Sequence, residues 1–499
     1  MEAVSELKQI PSEIEVKITE EPAFVPDPKM EKQVLRRLDA LVLPILAMMY
    51  LLSFLDRSNI GNARVAGLQR DLQMSDWAFH VAVTVTYVPY ICAEIPSNLV
   101  IAKVGARRLI PGLCISWGLV TTLQCRVQSF GGLVACRFFL GLCEGGLIPG
   151  IMVYLASFYR RHELQLRVCI FFGFSALAGA FSGLLAAAIV NLHGVGGMEG
   201  WRWIFLLEGL FTVVFGIVAL FLIPNNPRQV LSFKEHHAEY CEKRLKADVI
   251  SNEVESTKFN LQNFLSAFTS LHIWALVLLQ TAGGMLFFGL AYFMPSIVAT
   301  LARSFTVTPT VVQIQLLTVP PFVFGFVGSV VVAIVSDKYQ ARGYTALVMQ
   351  LFSIVGFAVF LGTSPTRGRV RYAAINLLIF GTYSAAPSIL VWPPNNVAPY
   401  TKRATAIAMT FIGTNLGGLA SSWIYPSSSA PAYRLGGILN LTSACVLWFT
   451  VAFLTYYFKH ENKLKVKNRE KLLRGLEDKT MHEQYEILGD RHPDFKYTP

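Results

Sequence analysis

Long apolar stretches recur throughout the sequence, and they constrain the fold more than any other feature. A helix needs about 20 apolar residues to cross a hydrocarbon core of about 30 Å. Stretches of that length lie near residues 39–60, 78–101, 108–127, 132–157, 167–190, 203–223, 271–299, 311–336, 344–362, 371–392, 404–425 and 435–458. The sequence therefore predicts an all-α membrane protein with twelve transmembrane helices and the lipid bilayer as its main solvent.

The composition agrees with a membrane protein and excludes two other classes. Hydrophobic residues make up 53% of the 499 residues and charged residues 15%, whereas soluble domains average about 25% charged residues. The net charge of +11 is concentrated in the tails and a few loops, so we predict no nucleic-acid partner. The eight cysteines show no spacing typical of zinc ligands. No metal and no cofactor is predicted.

A polar segment in the middle of the chain divides the apolar stretches into two sets of six. We expect a disordered cytosolic arm over residues 1–37, an N-terminal bundle over 38–223, a cytosolic central loop over 224–268, a C-terminal bundle over 269–458 and a cytosolic tail over 459–499. Lysine and arginine in the tails and the central loop predict that both termini are cytosolic.

Two short basic loops lie at equivalent points of the two sets. Residues 103–108 follow the second predicted helix, and residues 337–343 follow the eighth. Both loops contain glycine beside lysine and arginine. A weak internal repeat of this kind is typical of transporters built from two related halves. We therefore predict two pseudo-symmetric six-helix bundles.

Four ionisable residues within the predicted spans are the main functional candidates. Asp56 and Arg57 end the first span, and Arg137 and Glu144 lie two helical turns apart in the fourth, so the latter two should face one direction. One interpretation is ion pairs that hold helices together. The other, which we favour, is a proton site and an anion site, because burial favours a neutral carboxyl and an arginine fork matches a carboxylate.

Other polar groups within the spans are interpreted less specifically. For Glu94 and Glu208 we favour a structural ion pair over a functional role. For the amides of Gln280 and Asn415, a hydrogen bond between helices and a contact with a substrate stay equally open.

At these residues the chain resembles the major facilitator superfamily, and within it the fungal anion:cation symporters of the allantoate permease group. The motif Asp56-Arg57-Ser-Asn59 lies in the first matching stretch. The stretches that carry the resemblance are residues 51–63, 94–98, 137–150, 196–209, 317–321, 336–338, 395–398, 401–404 and 415–418. The resemblance covers roughly residues 30–465.

The resemblance implies the major facilitator fold, with two bundles around a central cavity and alternating access. It also implies proton-driven uptake of organic anions or carboxylate vitamins such as allantoate, nicotinate, pantothenate or biotin. Location in the plasma membrane and function as a monomer follow from the same likeness. No catalytic motif is present, so an enzyme is not predicted.

The resemblance also assigns roles to individual residues. Asp56 and Glu144 are the expected protonation sites, and the expected substrate contacts are Arg57, Arg137, Gln280 and Asn415. The expected gating residues are Glu94, Lys103, Arg107, Asp337 and Lys338. The family's usual acidic residue in the first basic loop is replaced by Ala102, so that gate interaction is either absent or supplied by Glu94. A common aromatic hydroxyl is replaced by Phe54, which alters the polarity of the pocket.

Two alternative functions stay open. The chain could be a uniporter or a sodium-coupled carrier of another small solute. It could also be a nutrient sensor that binds its ligand without transporting it, although the short tails argue against a signalling role.

Overall fold

The computed structural model describes residues 27–230, 232–252, 260–303, 309–339, 341–479 and 481–499. The first group of helices is α1 (Pro28–Val65), α2 (Leu68–Asp71), α3 (Asp76–Thr84), α4 (Tyr87–Val104), α5 (Ala106–Leu123), α6 (Phe130–Glu144), α7 (Leu147–Ala156), α8 (Arg161–Ile189), α9 (Gly200–Leu222), α10 (Glu235–Asn252) and α11 (Leu261–Thr269). The second group is α12 (Leu271–Ala302), α13 (Val311–Tyr339), α14 (Arg342–Gly362), α15 (Gly368–Leu390), α16 (Trp392–Asn395), α17 (Tyr400–Ser421), α18 (Arg434–Lys467), α19 (Arg469–Leu473) and α20 (Met481–Leu488). The described residues form no strand.

Twelve long helical rods correspond to the twelve predicted spans. Two of them are broken, since α3 and α4 share one rod and α6 and α7 share another. In the described ranges, seven helices are long and apolar enough to cross a membrane, and they are α1, α9, α12, α13, α14, α15 and α18. Large apolar side chains such as Phe211, Phe221, Ile334 and Phe449 point outward and are exposed, as expected of a surface that faces lipid.

The rods pack as two bundles with matching internal contacts. The N-terminal half comprises α1 to α9, and the C-terminal half comprises α12 to α18. In the N-terminal half, α1 packs on α8, α5 on α9 and α4 on α6. The equivalent pairs in the C-terminal half are α12 on α17, α14 on α18 and α13 on α15. This repeated pattern confirms two pseudo-symmetric six-helix bundles.

Between the halves, α8 packs along α13 through small residues. A Cβ atom at Gly179 would lie 2.7 Å from the ring of Phe322. One at Gly183 would overlap the hydroxyl of Thr318. Glycine therefore permits the close approach of the two helices.

Hydrogen bonds join the two halves at one end of the molecule. Asp76, at the start of α3, accepts hydrogen bonds from the backbone and the hydroxyl of Ser427. Arg64 donates to Asp76 and, at 2.7 Å, to the Ser427 hydroxyl. The hydroxyls of Thr84 and Ser422 lie 2.7 Å apart. We call this the opposite end, and the end where α1 begins and α18 finishes the terminal end.

The N-terminal arm was predicted to extend to residue 37, but its last ten residues belong to the first helix. Residues 1–26 lie outside the described residues, but α1 begins at Pro28 and not near residue 39. The side chain of Asp27 accepts a hydrogen bond of 2.9 Å from the Lys29 backbone, and proline is suited to the first helical position. Residues 28–37 are therefore helical, and Glu31 pairs with Arg160 of α8 at 3.2 Å.

The predicted central loop contains two helices, α10 and α11, among its described residues. Arg244 of α10 is fully buried and pairs with Glu163 of α8 at 3.0 Å. It also donates to the Phe158 carbonyl at 3.1 Å. This segment thus packs onto the terminal end of the N-terminal half.

The C-terminal tail was expected to be charged and soluble, but it folds back onto the C-terminal half. The amide of Asn462 in α18 exchanges two hydrogen bonds with the Tyr497 backbone, at 2.8 and 2.9 Å. Asn396 does the same with the Thr498 backbone, at 3.2 and 2.7 Å. The Tyr497 ring also stacks on Phe458, with centroids 5.0 Å apart. Paired backbone hydrogen bonds and ring burial fix the tail in place.

The carboxylate of Asp490 is the electrostatic centre of this docked tail. It is 2% exposed and lies 2.7 Å from Lys402 and 3.0 Å from His272. Burial by itself would raise the pKa of Asp490, but His272 and Lys402 outweigh it and hold the pKa below its ordinary value. Lys465 completes the cluster by donating to the Asp490 and Phe495 carbonyls.

We predict that Asp490→Ala destabilises the protein by about 3 kcal/mol, because it leaves the buried Lys402 without its partner. The measurement is thermal unfolding of the detergent-solubilised protein. Asp494→Ala is the matched control, since Asp494 pairs with the exposed Arg469 and exposed pairs contribute little. Equal effects of the two substitutions would contradict the importance of the docked tail.

Candidate functional site

A central cavity lies between the two halves, with an empty volume of about 1010 Å³ that includes its open mouth. Both halves contribute to its wall. The polar and aromatic wall residues are Tyr50, Phe54, Arg57, Tyr90, Gln280, Phe287, Phe288, Ser329, Gln350, Thr382, Tyr383, Phe411, Thr414 and Asn415. Three predicted substrate contacts, Arg57, Gln280 and Asn415, thus face one space.

The cavity extends toward the terminal end. Tyr50 lies on its wall, two turns or about 10 Å nearer that end of α1 than Arg57. Leu390, the last residue of α15, lies on the wall as well. At the other end the halves are joined through Asp76 and Ser427. The halves are therefore separated toward the terminal end and closed at the opposite end.

Arg57 is the only charged side chain on the wall in the part of the chain that the structure describes. Its Nε lies 2.8 Å from a carboxylate oxygen of Glu144, which is fully buried. It also donates a 3.1 Å hydrogen bond to the hydroxyl of Ser53. The guanidinium lies 4.8 Å from the Tyr90 ring and 5.9 Å from the Phe288 ring. The guanidinium of Arg57 therefore faces the cavity between aromatic rings, and its counter-ion Glu144 is buried behind it.

Asp56 points away from the cavity although it is next to Arg57 in sequence. It is fully buried. One of its oxygens accepts a hydrogen bond of 3.2 Å from the Trp117 indole and one of 3.0 Å from the Thr212 hydroxyl. Its other oxygen has no hydrogen-bond donor among the described residues. Neutral donors from α5 and α9, and not an arginine, therefore hold this carboxyl.

Arg137 and Glu144 are both buried in the N-terminal half, as their spacing predicts. Arg137 is 1% exposed and does not line the central cavity in this conformation. It donates a long hydrogen bond of 3.5 Å to the Arg57 carbonyl. Its Nε and one terminal nitrogen find no acceptor among the described residues. Arg137 therefore lies behind Arg57 and not beside it on the wall.

Aromatic rings form much of the remaining wall. Phe287 lies 5.2 Å from Phe54 and 4.6 Å from Tyr383, between ring centroids. Sequence analysis singled out Phe54 but did not find Phe287 or Tyr383, because aromatic residues in apolar spans look like packing residues. Gln350 was also missed, and it lies on the wall in α14.

The predicted gating residues whose side chains the structure describes make no recorded contact with one another across the halves. Arg107 donates a 2.9 Å hydrogen bond to Gln229 in its own half, and Lys338 lies over the ring of its neighbour Tyr339. Glu94 is half-buried in α4. The side chains of Lys103 and Asp337 lie outside the described residues. Separated basic loops agree with a structure that is open at the terminal end.

We predict that Arg57→Met and Glu144→Leu each destabilise the protein by about 3 kcal/mol, because each leaves an uncompensated buried charge. The double variant should be less destabilised than the sum of the single variants, since it removes both charges together. Thermal unfolding of the solubilised protein measures all three. Strictly additive losses would mean that the two side chains do not interact.

The sequence and the fold both match known transporters. The model of the Major Facilitator Superfamily matches residues 46–422. Uncharacterized transporter C1002.16c of Schizosaccharomyces pombe is 34% identical over 432 residues, which cover 87% of this chain and 84% of that protein. The High-affinity nicotinic acid transporter of Saccharomyces cerevisiae is 29% identical, over 95% of this chain and 86% of that protein.

Solved structures share the same fold at low sequence identity. The D-xylose-proton symporter aligns with a TM-score of 0.61 and 15% identity, over 82% of this chain and 96% of that one. A bacterial homolog of the human lysosomal transporter Spinster, in an inward-facing and occupied conformation, aligns with a TM-score of 0.59 and 15% identity, over 84% and 96%. The chain is an integral membrane transporter and not an enzyme, and it belongs to the major facilitator superfamily.

Proposed function

We propose that the protein imports a small organic anion with one negative charge, coupled to protons, by alternating access to the central cavity. Arg57 carries this proposal, because it is the only charged side chain on the described cavity wall and its counter-ion Glu144 is hidden behind it. An arginine fork binds a single carboxylate well. A second carboxylate would find no second cation on this wall, which favours monoanions such as nicotinate over dianions such as tartrate.

Coupling follows from competition for Arg57. While Glu144 is ionised, it holds the guanidinium through the 2.8 Å contact. Protonation of Glu144 removes that attraction, and the freed guanidinium binds the carboxylate of the substrate. Proton and anion binding then favour each other, which is the thermodynamic requirement for symport. Asp56 is the second proposed protonation site, and Arg137 adds positive charge behind the wall.

The transport cycle alternates between two arrangements of the halves. With both termini in the cytosol, the present structure faces inward, and Arg57 pairs with Glu144 after the substrate and the proton of Glu144 have left. Facing outward requires the contacts of Arg64 and Asp76 with Ser427 to break. Closure at the cytosolic end brings together the proposed gating residues, which are Glu94, Lys103, Arg107, Asp337 and Lys338.

The remaining wall residues select the substrate. Gln280 and Asn415 lie on the wall and offer amide hydrogen bonds to uncharged polar groups of the substrate. The rings of Phe54, Phe287 and Tyr383 suit a flat or apolar body. Similarity to a nicotinic acid transporter supports a carboxylate vitamin or a related compound. On the same family grounds we propose a monomer in the plasma membrane.

We predict that cells expressing the protein accumulate one or more labelled monocarboxylates from a panel of nicotinate, pantothenate, biotin and allantoate, with tartrate as the dianion. A protonophore should abolish the accumulation, because it removes the driving gradient. Uptake that persists with the protonophore would indicate a uniporter or a sodium-coupled carrier. Binding without any flux would instead indicate a sensor.

We predict that Arg57→Ala lowers affinity for the transported anion at least tenfold, since hydrogen bonds to charged groups contribute about 1.5–3 kcal/mol. Uptake should fall to background at low substrate concentration when it is expressed per amount of protein at the surface. Arg369→Ala, which removes an exposed arginine in the first turn of α15, is the matched control. Wild-type affinity in Arg57→Ala would refute the assigned anion site.

We also predict that Arg137→Ala abolishes anion uptake while the protein still reaches the surface. Its positive charge lies behind Arg57, where it offsets the negative charge of the buried carboxyls. Uptake and surface labelling measured on the same cells test this role. Normal uptake by this variant would remove Arg137 from the transport machinery.

A further inference from the structure

A third buried carboxyl, Glu208 of α9, lies in the core of the N-terminal half. It is 4% exposed and was expected to form a structural ion pair. No lysine or arginine among the described residues lies within ion-pair distance of it. Its one hydrogen bond comes from the neutral amide of Asn59, at 2.6 Å. The expected ion pair is therefore wrong, and Glu208 needs another explanation.

Counting charges in this core shows that one carboxyl must carry a proton. The buried ionisable side chains at this level are Asp56, Arg57, Arg137, Glu144 and Glu208. Arginine stays protonated in proteins, so three ionised carboxylates would outnumber the two guanidiniums. An uncompensated buried charge costs several kcal/mol. One carboxyl is therefore neutral in this state.

The surroundings of the three carboxyls identify Glu208 as the neutral one. Glu144 has Arg57 as its counter-ion. Asp56 accepts a hydrogen bond from the Trp117 indole and shares the Thr212 hydroxyl with the Glu208 carbonyl, and such donors favour the ionised form. Glu208 has a single neutral donor, and its Oε1 has no hydrogen-bond partner among the described atoms.

A network of polar side chains connects Glu208 to a small pocket between the halves. The Asn59 amide oxygen accepts a hydrogen bond of 3.3 Å from the Ser182 hydroxyl. Asn62 donates to that hydroxyl at 2.5 Å, and Ser58 lies 3.4 Å from it. Ser58, Asn62 and Ser182 line the pocket together with Thr318 of the C-terminal half.

This pocket adjoins the central cavity at Phe54, which lines both, but it lies away from the cavity mouth. Asn62 lies near the last turn of α1, and Ser182 lies in the last third of α8, so the pocket is displaced toward the opposite end. Its wall includes both halves. It must therefore open when the halves separate at that end, and water would then reach the polar network.

We propose that Glu208 is a proton-binding residue of the transport cycle, loaded from this pocket when the halves separate at the opposite end. Water that enters the pocket is held by the Ser182 hydroxyl, displaces the Asn59 amide from the carboxylate and delivers the proton, on a route that does not pass the anion site at Arg57. The present inward-facing state still holds this proton, and its loss to the terminal side completes the cycle. The inference rests on the proposed proton coupling and adds a residue and a pathway to it.

The test compares two transport modes of the protein reconstituted in liposomes, using the monocarboxylate that the wild type accumulates. Glu208→Gln mimics the protonated carboxyl and cannot exchange a proton. We expect it to lose proton-driven accumulation by about tenfold or more, while it still exchanges labelled for unlabelled substrate without a gradient. Accumulation at the wild-type level would overturn the inference.

A second variant tests the pathway without changing the carboxyl. Ser182→Ala should slow proton-driven uptake several-fold and leave exchange unaffected. Ser421→Ala is the matched control, because Ser421 is also buried but donates only within its own helix. Equal proton-driven uptake by these two serine variants would overturn the pathway. Loss of both accumulation and exchange in Glu208→Gln would show that Glu208 has a structural role and would overturn the inference.

Failure of the proposed function has a different signature. In that case the wild-type protein would show no accumulation that a protonophore abolishes. The other outcome is that the wild type and the Glu208→Gln variant both accumulate substrate. That result would leave proton-coupled uptake intact and would remove only the role of Glu208.

Discussion

The ion pair between Arg57 and Glu144 is the interaction on which the rest of the site depends. Glu144 is fully buried, while the guanidinium of Arg57 reaches the cavity wall. Neither charge can be removed without leaving the other uncompensated in a medium of low polarity. The buried carboxylate of Glu144 and the accessible guanidinium of Arg57 therefore form one ion pair. In the proposed cycle, a proton acts on this ion pair from the protein core, and an anion acts on it from the cavity.

Pseudo-symmetry explains how a stable bundle can have two arrangements. Contacts within each half repeat, but contacts between the halves do not. The helix α8 packs closely on α13, whereas the equivalent pair of α17 and α4 touches far less. Small residues at Gly179 and Gly183 allow the close pair. Because the two bundles are related, tilting them the other way would exchange the close and the loose pair. Ser427 accepts a hydrogen bond from Arg64 and donates to Asp76, and these contacts hold the present tilt.

Each half has its own polar cap at the terminal end. Glu31, Glu163 and Arg244 join the start of α1, α8 and the central segment. His272, Lys402 and Asp490 join α12, α17 and the tail. These caps bind elements within one half, so each half can move as a rigid unit. Segments that look like linkers in sequence thus stiffen the bundles whose relative motion carries transport.

The sequence by itself determined the class of fold and the charged residues on and behind the cavity wall. Apolar stretches of membrane length leave few alternatives to helices, and costly charges at that depth identified Asp56, Arg57, Arg137 and Glu144. The tertiary structure decided which of them face the cavity, because adjacent residues on a helix point in directions about 100° apart. It separated Asp56 from Arg57, paired Arg57 with Glu144 and left Glu208 without a cation. It also folded the tail onto the bundle, since the partners of Asp490 come from helices that are distant in sequence and adjacent only after packing.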